Sequence, residues 1–172
     1  MKRLVFSLFS LIFCLVNCYS QFVMIGVKDG VTYIKPCVEN FAYLSTVSES
    51  DFELIMRNYH YTEGDGSAQW RSYTASLDNF LVHAVSNYDY AYGGKSIICW
   101  IPKSEMYPHT AVREIYNKLR SHFLRRENGG ELFAFNYDGK AFGCIIANNE
   151  KFYIIRTNYY GSADSRLKNL GH

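Results

Sequence analysis

The segment that decides the fold covers residues 131–157 and reads ELFAFNYDGKAFGCIIANNEKFYIIRT. It contains three runs rich in Phe, Ile and Tyr, at residues 131–137, 141–147 and 152–157. Between the first two lies Asp138-Gly139, a pair that favours a two-residue hairpin turn because both positions need positive φ. Short aromatic and β-branched runs bounded by turn residues are typical of antiparallel strands. The segment therefore predicts consecutive β-hairpins.

Similar short runs come earlier in the chain, at residues 68–74, 80–86 and 96–101. Residues 77–88 also fit a helical period, but their β-forming side chains favour a strand. One amphipathic helix is predicted before each set of strands, near 50–60 and near 111–123, from apolar residues at i, i+3, i+4 and i+7. The apolar positions are Phe52, Ile55, Met56 and Tyr59, then Val112, Ile115, Tyr116, Leu119 and Phe123, with Ser48 or Ser50 and Thr110 as N-caps.

These elements predict an α+β fold. A hairpin at residues 21–38 comes first, and helices followed by antiparallel strands must bury their apolar stripes against a sheet. We therefore expect antiparallel sheet or sheets with helices packed on one face. Residues 50–103 and 112–158 also align in outline, although with very low identity, which predicts two degenerate helix-plus-strands repeats. The layout is similar to that of the secreted β-lactamase inhibitor proteins, although no residue motif carries this resemblance.

The N-terminus has the pattern of a secretory signal peptide. Lys2 and Arg3 precede an apolar stretch, and Cys18 and Ser20 occupy the small positions before the predicted cut. The stretch is shorter than the roughly 20 apolar residues that a membrane-spanning helix needs. We therefore expect residues 1–20 to be removed.

After that cut, residues 21–172 are predicted to form one domain, secreted or periplasmic, with no transmembrane segment. An alternative is a lipid anchor at Cys18, because Leu15-Val16-Asn17-Cys18 loosely resembles a lipoprotein box.

Charge argues against a nucleic-acid partner. The full chain has 18 basic and 16 acidic residues, and the predicted signal peptide holds two of the basic ones. The remaining domain is therefore neutral, whereas binding to phosphate requires an excess of Lys and Arg. The most basic stretch contains Lys118, Arg120, His122, Arg125 and Arg126. It is interpreted as the solvated face and C-terminal end of a helix, where cations suit the helix dipole, with an anion site as the alternative.

No catalytic, metal or cofactor motif is present in the sequence. The predicted domain keeps Cys37, Cys99 and Cys144, which form either one disulfide with one remaining thiol or three small buried side chains. A hydrolase would need a Cys and a His brought together, and Cys144 with His83 is the one pair that the predicted repeat suggests. Because Cys144 alternates in phase with Phe142 and Ile146, we expect it to be a core residue instead.

Tyrosines give the clearest indication of a binding surface. The chain has 15 Tyr and 12 Phe, and Tyr88, Tyr90 and Tyr92 alternate in a stretch that we expect to be an exposed loop. Tyr59 and Tyr61 flank His60 with the same spacing. Tyrosine-rich surfaces bind proteins well, because the ring adds rigid contact area and the hydroxyl adds a hydrogen bond. The alternative is that tyrosine is simply a good strand former.

The sequence therefore predicts an exported domain without catalytic activity that binds a protein or another macromolecule in the periplasm or at the cell surface. The alternatives are a hydrolase with an unrecognised Cys/His site and a structural component of the envelope.

Overall fold

The protein is described by a computed structural model that covers residues 23–28, 30–64, 70–77, 80–90, 94–103, 106–127, 129–162 and 168–169. The predicted signal peptide, the anchor position Cys18 and Tyr92 lie outside the described residues. Within them the fold is mixed α+β, as the sequence predicts: a two-stranded hairpin, three helices and a large sheet. None of the helices described is both long and apolar enough to cross a membrane.

The elements follow one another in this order: β1 (Ile25–Lys28), β2 (Val31–Ile34), α1 (Val38–Leu44), α2 (Glu49–Asn58), β3 (Thr62–Glu63), β4 (Trp70–Leu77), β5 (Phe80–Tyr90), β6 (Gly94–Pro102), α3 (Met106–Leu119), a 3-10 turn (Arg120–His122), β7 (Phe123–Glu127), β8 (Gly130–Tyr137), β9 (Lys140–Asn148), β10 (Phe152–Ser162) and β11 (Lys168–Asn169).

Six long antiparallel strands form the body of the sheet, in the order β8-β9-β10-β6-β5-β4. Short strands extend it at its two ends: β3 pairs with β4, while β7 and β11 pair with β8. Strands β4 to β6 and β8 to β10 are each joined in sequence, and the two sets meet where β6 pairs with β10.

Tight turns set the register of the hairpins. Tyr137 pairs with Lys140 across Asp138 and Gly139, whose φ angles are 48° and 66°. Positive φ at both positions is the signature of the turn that suits a two-residue hairpin. In the first hairpin Lys28 pairs with Val31, and Gly30 before Val31 has φ 79°. Both turns were predicted, although this first hairpin ends at Ile34 and not at residue 38.

One face of the sheet forms the core together with the helices. Phe133, Cys144, Thr157 and Ile97 are direct partners across β8, β9, β10 and β6, and all four are buried. Because direct partners point to the same side, this row marks a single buried face. The helices contribute their own buried side chains to the same cluster: Phe41 and Leu44 from α1, Phe52 and Met56 from α2, Ile115 and Leu119 from α3.

The opposite face is half-buried. Ile98, Ile145 and Ile154 lie on it beside Arg156, and the ring of Tyr160 covers Gly143, where an added Cβ would lie 2.8 Å from that ring. Tyr160 is among the most exposed large side chains described, at 57%. This face therefore differs from the helix-covered one in both burial and composition.

The helices only partly follow the sequence prediction. The second, α2, lies close to the range expected, and the Ser48 hydroxyl caps it by accepting from the Asp51 N–H at 3.1 Å. The third, α3, starts at Met106 and ends at Leu119, so the predicted range of 111–123 was displaced towards the C-terminus. The sequence interpretation missed α1 and also β7, which begins at Phe123, the residue where the helix was expected to end.

Candidate functional site

The three cysteines are buried thiols and not a reactive centre. Cys37, Cys99 and Cys144 are all free and all buried. Burial raises the pKa of Cys144 to about 12, against the lesser effect of a hydrogen bond that the Thr157 hydroxyl donates to its sulfur at 3.7 Å. Burial also raises the pKa of the Cys37 and Cys99 thiols. A catalytic cysteine needs a depressed pKa and access to solvent, so the core interpretation of these residues is confirmed.

The sheet does not bring Cys144 and His83 together. Cys144 pairs with Thr157, Thr157 with Ile97, and Ile97 with Asn87, so the strand that carries residue 83 is three strands away. With strands about 4.8 Å apart and about 3.3 Å per residue, backbone positions 144 and 83 are roughly 19 Å apart. A thiol and an imidazole cannot form a hydrogen bond across that distance. Among the residues that the structure describes, no group of three or more His, Cys, Asp or Glu side chains could hold a metal ion.

The predicted tyrosine surface is divided by the structure. Tyr88 and Tyr90 lie in β5, where they pair with Ser96 and Gly94, so the expected loop is wrong for these two residues. Register places position 88 in one row with Ser96 and Asn158, across β5, β6 and β10. The strand continues to Tyr90 because β6 offers backbone partners along this whole stretch, while pairing with β4 extends to Tyr88.

Tyr59 and Tyr61 are packing residues. Tyr59 ends α2 and is half-buried against the core, and Tyr61 is 5% exposed. The Ile34 N–H donates to the Tyr61 hydroxyl at 3.1 Å, which attaches the first hairpin to the end of α2. Burial raises the pKa of Tyr61 well above its usual value. Tyr61 therefore cannot present its ring to a partner in this structure.

A cavity of about 670 Å³ opens at one end of the helix-covered face, between α3 and the adjoining ends of β8, β9 and β10. We call it the α3 cavity. Val112 and Ile146 form its apolar floor, while Tyr116 and Tyr153 form aromatic walls. Ligand sites in proteins typically measure roughly 300–1,000 Å³ and combine such apolar walls with a few polar groups. The α3 cavity is therefore the candidate binding site.

Charged groups line the α3 cavity on the side of α3 and β7. Arg113 and Arg126 contribute cations and Glu131 contributes one carboxylate, 3.8 Å from the Arg126 Nε. The Tyr116 hydroxyl donates a hydrogen bond to Glu131, and this bond and the carboxylate charge raise the pKa of Tyr116, against the opposing effect of Arg120 and Arg126. Glu131 is thus already held by two neighbours, whereas Arg113 has no ion-pair partner within the described ranges.

A third cation lies at the opposite side of the opening. The Lys103 ammonium is 5.1 Å above the centre of the Tyr153 ring, a distance suited to a cation–π contact. It also donates to the Asn148 side-chain oxygen at 3.3 Å. Lys103 therefore contacts two residues of the cavity wall, Tyr153 and Asn148.

A second, smaller cavity of about 240 Å³ lies at the other end of the sheet, lined by Tyr43, Thr46, Tyr137, Asp138 and Lys140 among others. It holds one cation and one carboxylate, which offset each other. Its charge therefore favours no particular ligand.

The chain was compared with protein-family models, with curated proteins and with solved structures. None of them matches it. The resemblance in layout to the β-lactamase inhibitor proteins thus stays an architectural analogy, and the function of the site has to be argued from its residues.

Sequence reasoning missed this site because its parts are distant in sequence. Tyr116 was assigned to the apolar face of its helix, yet it is 39% exposed and lies at the edge of the core, where it meets the ring of Phe133. The basic stretch at 118–126 was interpreted as the end of a helix, with an anion site as the alternative, and it contains one residue of the cavity. Of its five residues, Arg126 lines the cavity, Lys118 pairs with Glu39 and His122 is buried.

Proposed function

We propose that this protein is an exported domain without catalytic activity that binds a protein or other macromolecule, and that the partner docks over the α3 cavity. The observation that carries the proposal is the combination of two aromatic walls, Tyr116 and Tyr153, with cations at Arg113 and Arg126 around an open cavity. Aromatic and arginine side chains are the residues that contribute most at protein interfaces. The high pKa of the buried thiols favours binding over cysteine chemistry.

Photo-crosslinking tests where the partner docks. p-Benzoylphenylalanine is placed at position 116 in one variant and at position 160 in a matched control, and both are exported by the native host. Tyr116 and Tyr160 are both exposed, but Tyr160 lies on the opposite face of the sheet. We expect an abundant cross-linked partner from position 116 and none from position 160. Cross-links from position 160 alone, or from neither, contradict the proposal.

Tyr88, Tyr90 and Tyr92 remain a proposed second contact. Positions 88 and 90 alternate along β5 in the same phase as Ser86, which places them on the face opposite the core cluster by register. The test compares the Tyr116→Ala variant with a triple variant that carries Tyr88→Ser, Tyr90→Ser and Tyr92→Ser. A second surface is supported if the triple variant folds but loses partners that the Tyr116→Ala variant still captures. Capture of every partner by the triple variant contradicts the second surface.

We further propose that residues 50–103 and 112–158 are degenerate repeats. In each range a helix is followed by four consecutive antiparallel strands, β3 to β6 and β7 to β10, and the last strands, β6 and β10, pair with each other. An experimental structure tests this: superposition of the two ranges should match helix on helix and all four strands in order. A mismatch in helix placement excludes the repeat.

A further inference from the structure

Cations on α3 are neutralised on one side of the helix and not on the other. Lys118 pairs with Glu39 of α1, and Glu114 pairs with Lys35 at 3.2 Å, on the side of the hairpin and α1. Arg113 belongs to the stripe of α3 that also carries Tyr116, since residues at i and i+3 share a helix face, and Arg120 follows in the 3-10 turn directly after α3. Neither arginine has an ion-pair partner in the part of the chain that the structure describes.

Strand β7 lies beside this stripe and forms an edge of the sheet. Within the described ranges it pairs with β8 and with no other strand. Phe123 and Leu124 are 47% and 52% exposed, and Arg125 and Arg126 are exposed as well. An edge strand offers a row of backbone N–H and C=O groups to which another extended chain can add. Its exposed apolar side chains would gain from being covered.

Charge selects the partner that this edge can accept. Arg113 and Arg126 line the α3 cavity together with Tyr116, and the charges of Arg120 and Arg126 act to lower the Tyr116 pKa. Three arginines therefore lie around the exposed Tyr116 ring. Among the described residues that line the same cavity, Glu131 is the one carboxylate. Arg125 is already paired with Glu127 at 2.7 Å, so a second copy of β7 would bring its own Arg126 against these cations, and like charges oppose pairing. An acidic strand instead gains ion pairs with them.

From this we infer that β7 and the α3 cavity bind an extended acidic peptide segment of the partner. The peptide adds through its backbone to the edge of β7 that faces away from β8, and one of its carboxylates enters the cavity between Arg113 and Arg126. The inference rests on the proposed function, because it names the partner's chemistry at the same site. An extended chain fits better than a folded domain because β7 is only five residues long and pairs with β8 alone among the described strands.

Synthetic peptides test this directly on the purified protein. The probe is a capped, fluorescein-labelled heptapeptide of alternating glutamate and valine, followed by fluorescence anisotropy. We expect saturable binding that weakens with added salt, and no binding of the lysine-and-valine counterpart. A version that is N-methylated at every residue cannot donate backbone hydrogen bonds, so it should not bind. Equal binding of the lysine peptide or of the N-methylated peptide overturns the inference.

Charge-reversal variants locate the site. Arg113→Glu and Arg126→Glu should each weaken peptide binding by about tenfold or more. The matched control is Arg57→Glu on α2, which removes an exposed ion pair with Glu53 away from the cavity and should change affinity less than twofold. Circular dichroism melts verify that each variant folds. Unchanged affinity in both cavity variants contradicts the inference.

The failures of the two proposals can be distinguished. A soluble oligogalacturonate that displaces the peptide and binds more tightly would assign the site to acidic polysaccharide and overturn the peptide inference. Cross-linking from position 116 without binding of the acidic peptide also overturns the inference but leaves the proposed function standing. Absence of any cross-link from position 116 refutes the proposed function itself.

Discussion

Removal of one hydroxyl group, in Tyr61→Phe, tests whether Tyr61 is a structural residue. The Tyr61 hydroxyl accepts the Ile34 N–H at 3.1 Å, and Ile34 is only 2% exposed. Phenylalanine keeps the ring but leaves this buried N–H without its acceptor, which costs about 1–3 kcal/mol of unfolding free energy. For a domain of this size each kcal/mol lowers Tm by roughly 2–4 °C, so we expect a decrease of roughly 2–12 °C.

Thermal and urea denaturation of the purified variant measure the effect. The matched control is Tyr160→Phe, because Tyr160 is 57% exposed and its hydroxyl accepts an exposed hydrogen bond from Asn158 at 3.3 Å. This control should change stability by less than about 0.5 kcal/mol. The reasoning fails if Tyr61→Phe melts like the wild type, or if it keeps full stability and loses partner capture. The second outcome would return Tyr61 to the recognition surface.

Three further predictions concern stability. Cys144→Ala should lower the free energy of unfolding, measured by urea denaturation, by about 1 kcal/mol or somewhat more. Native Cys144 should react slowly with a thiol reagent, and fast labelling would indicate an accessible thiolate. The free energy of unfolding should fall as pH rises from 9 towards 12, by up to about 1.4 kcal/mol per pH unit for each buried thiol. The reason is that the native state holds protons that the thiols of the unfolded state release. A urea midpoint that stays constant over this range would contradict the burial of Cys99 and Cys144. Gly139→Ala should destabilise the protein by about 1 kcal/mol, since Gly139 has φ 66° with no atom within 4 Å of an added Cβ, and unchanged Tm would show that the turn adapts.

Local signals in the sequence were enough for the elements that depend on local geometry. Asp138-Gly139 fixes a turn because of backbone conformation alone, and Ser48 caps α2 through an atom three residues away. By contrast, α1 has seven residues, fewer than two full turns, so its apolar side chains give no period to recognise. The residues of β7 read as the end of a helix, but pairing with β8 decides their conformation. Such tertiary effects cannot be read from neighbouring residues.

The α3 cavity shows the same limit at the level of function. Its walls come from α3, β7, β8, β9 and β10, so the sequence could name Arg126 in a basic stretch but could not place Tyr153 beside it. Tyr61 illustrates the converse, because its spacing suggests a surface residue, while its hydrogen-bond partner lies 27 positions away. A tyrosine whose hydroxyl forms a hydrogen bond inside the protein is a packing residue, whereas one whose hydroxyl faces solvent can contact a partner. That depends on the sheet order, which periodicity alone does not determine.

The distribution of charge around α3 favours a binding role over a purely structural one. Folding is served by the ion pairs that join Lys118 to Glu39 and Lys35 to Glu114, because they connect α3 to the hairpin and to α1. Arg113 on α3 and Arg120 in the turn after it have no ion-pair partner among the described residues, and exposed cations of this kind add little to stability. Their cost is mutual repulsion around the Tyr116 ring. A carboxylate-bearing partner would remove that repulsion and would also cover Phe123 and Leu124. The exposed arginines and the exposed apolar side chains of β7 contribute little to folding stability, and they are the groups that an acidic extended chain would bind.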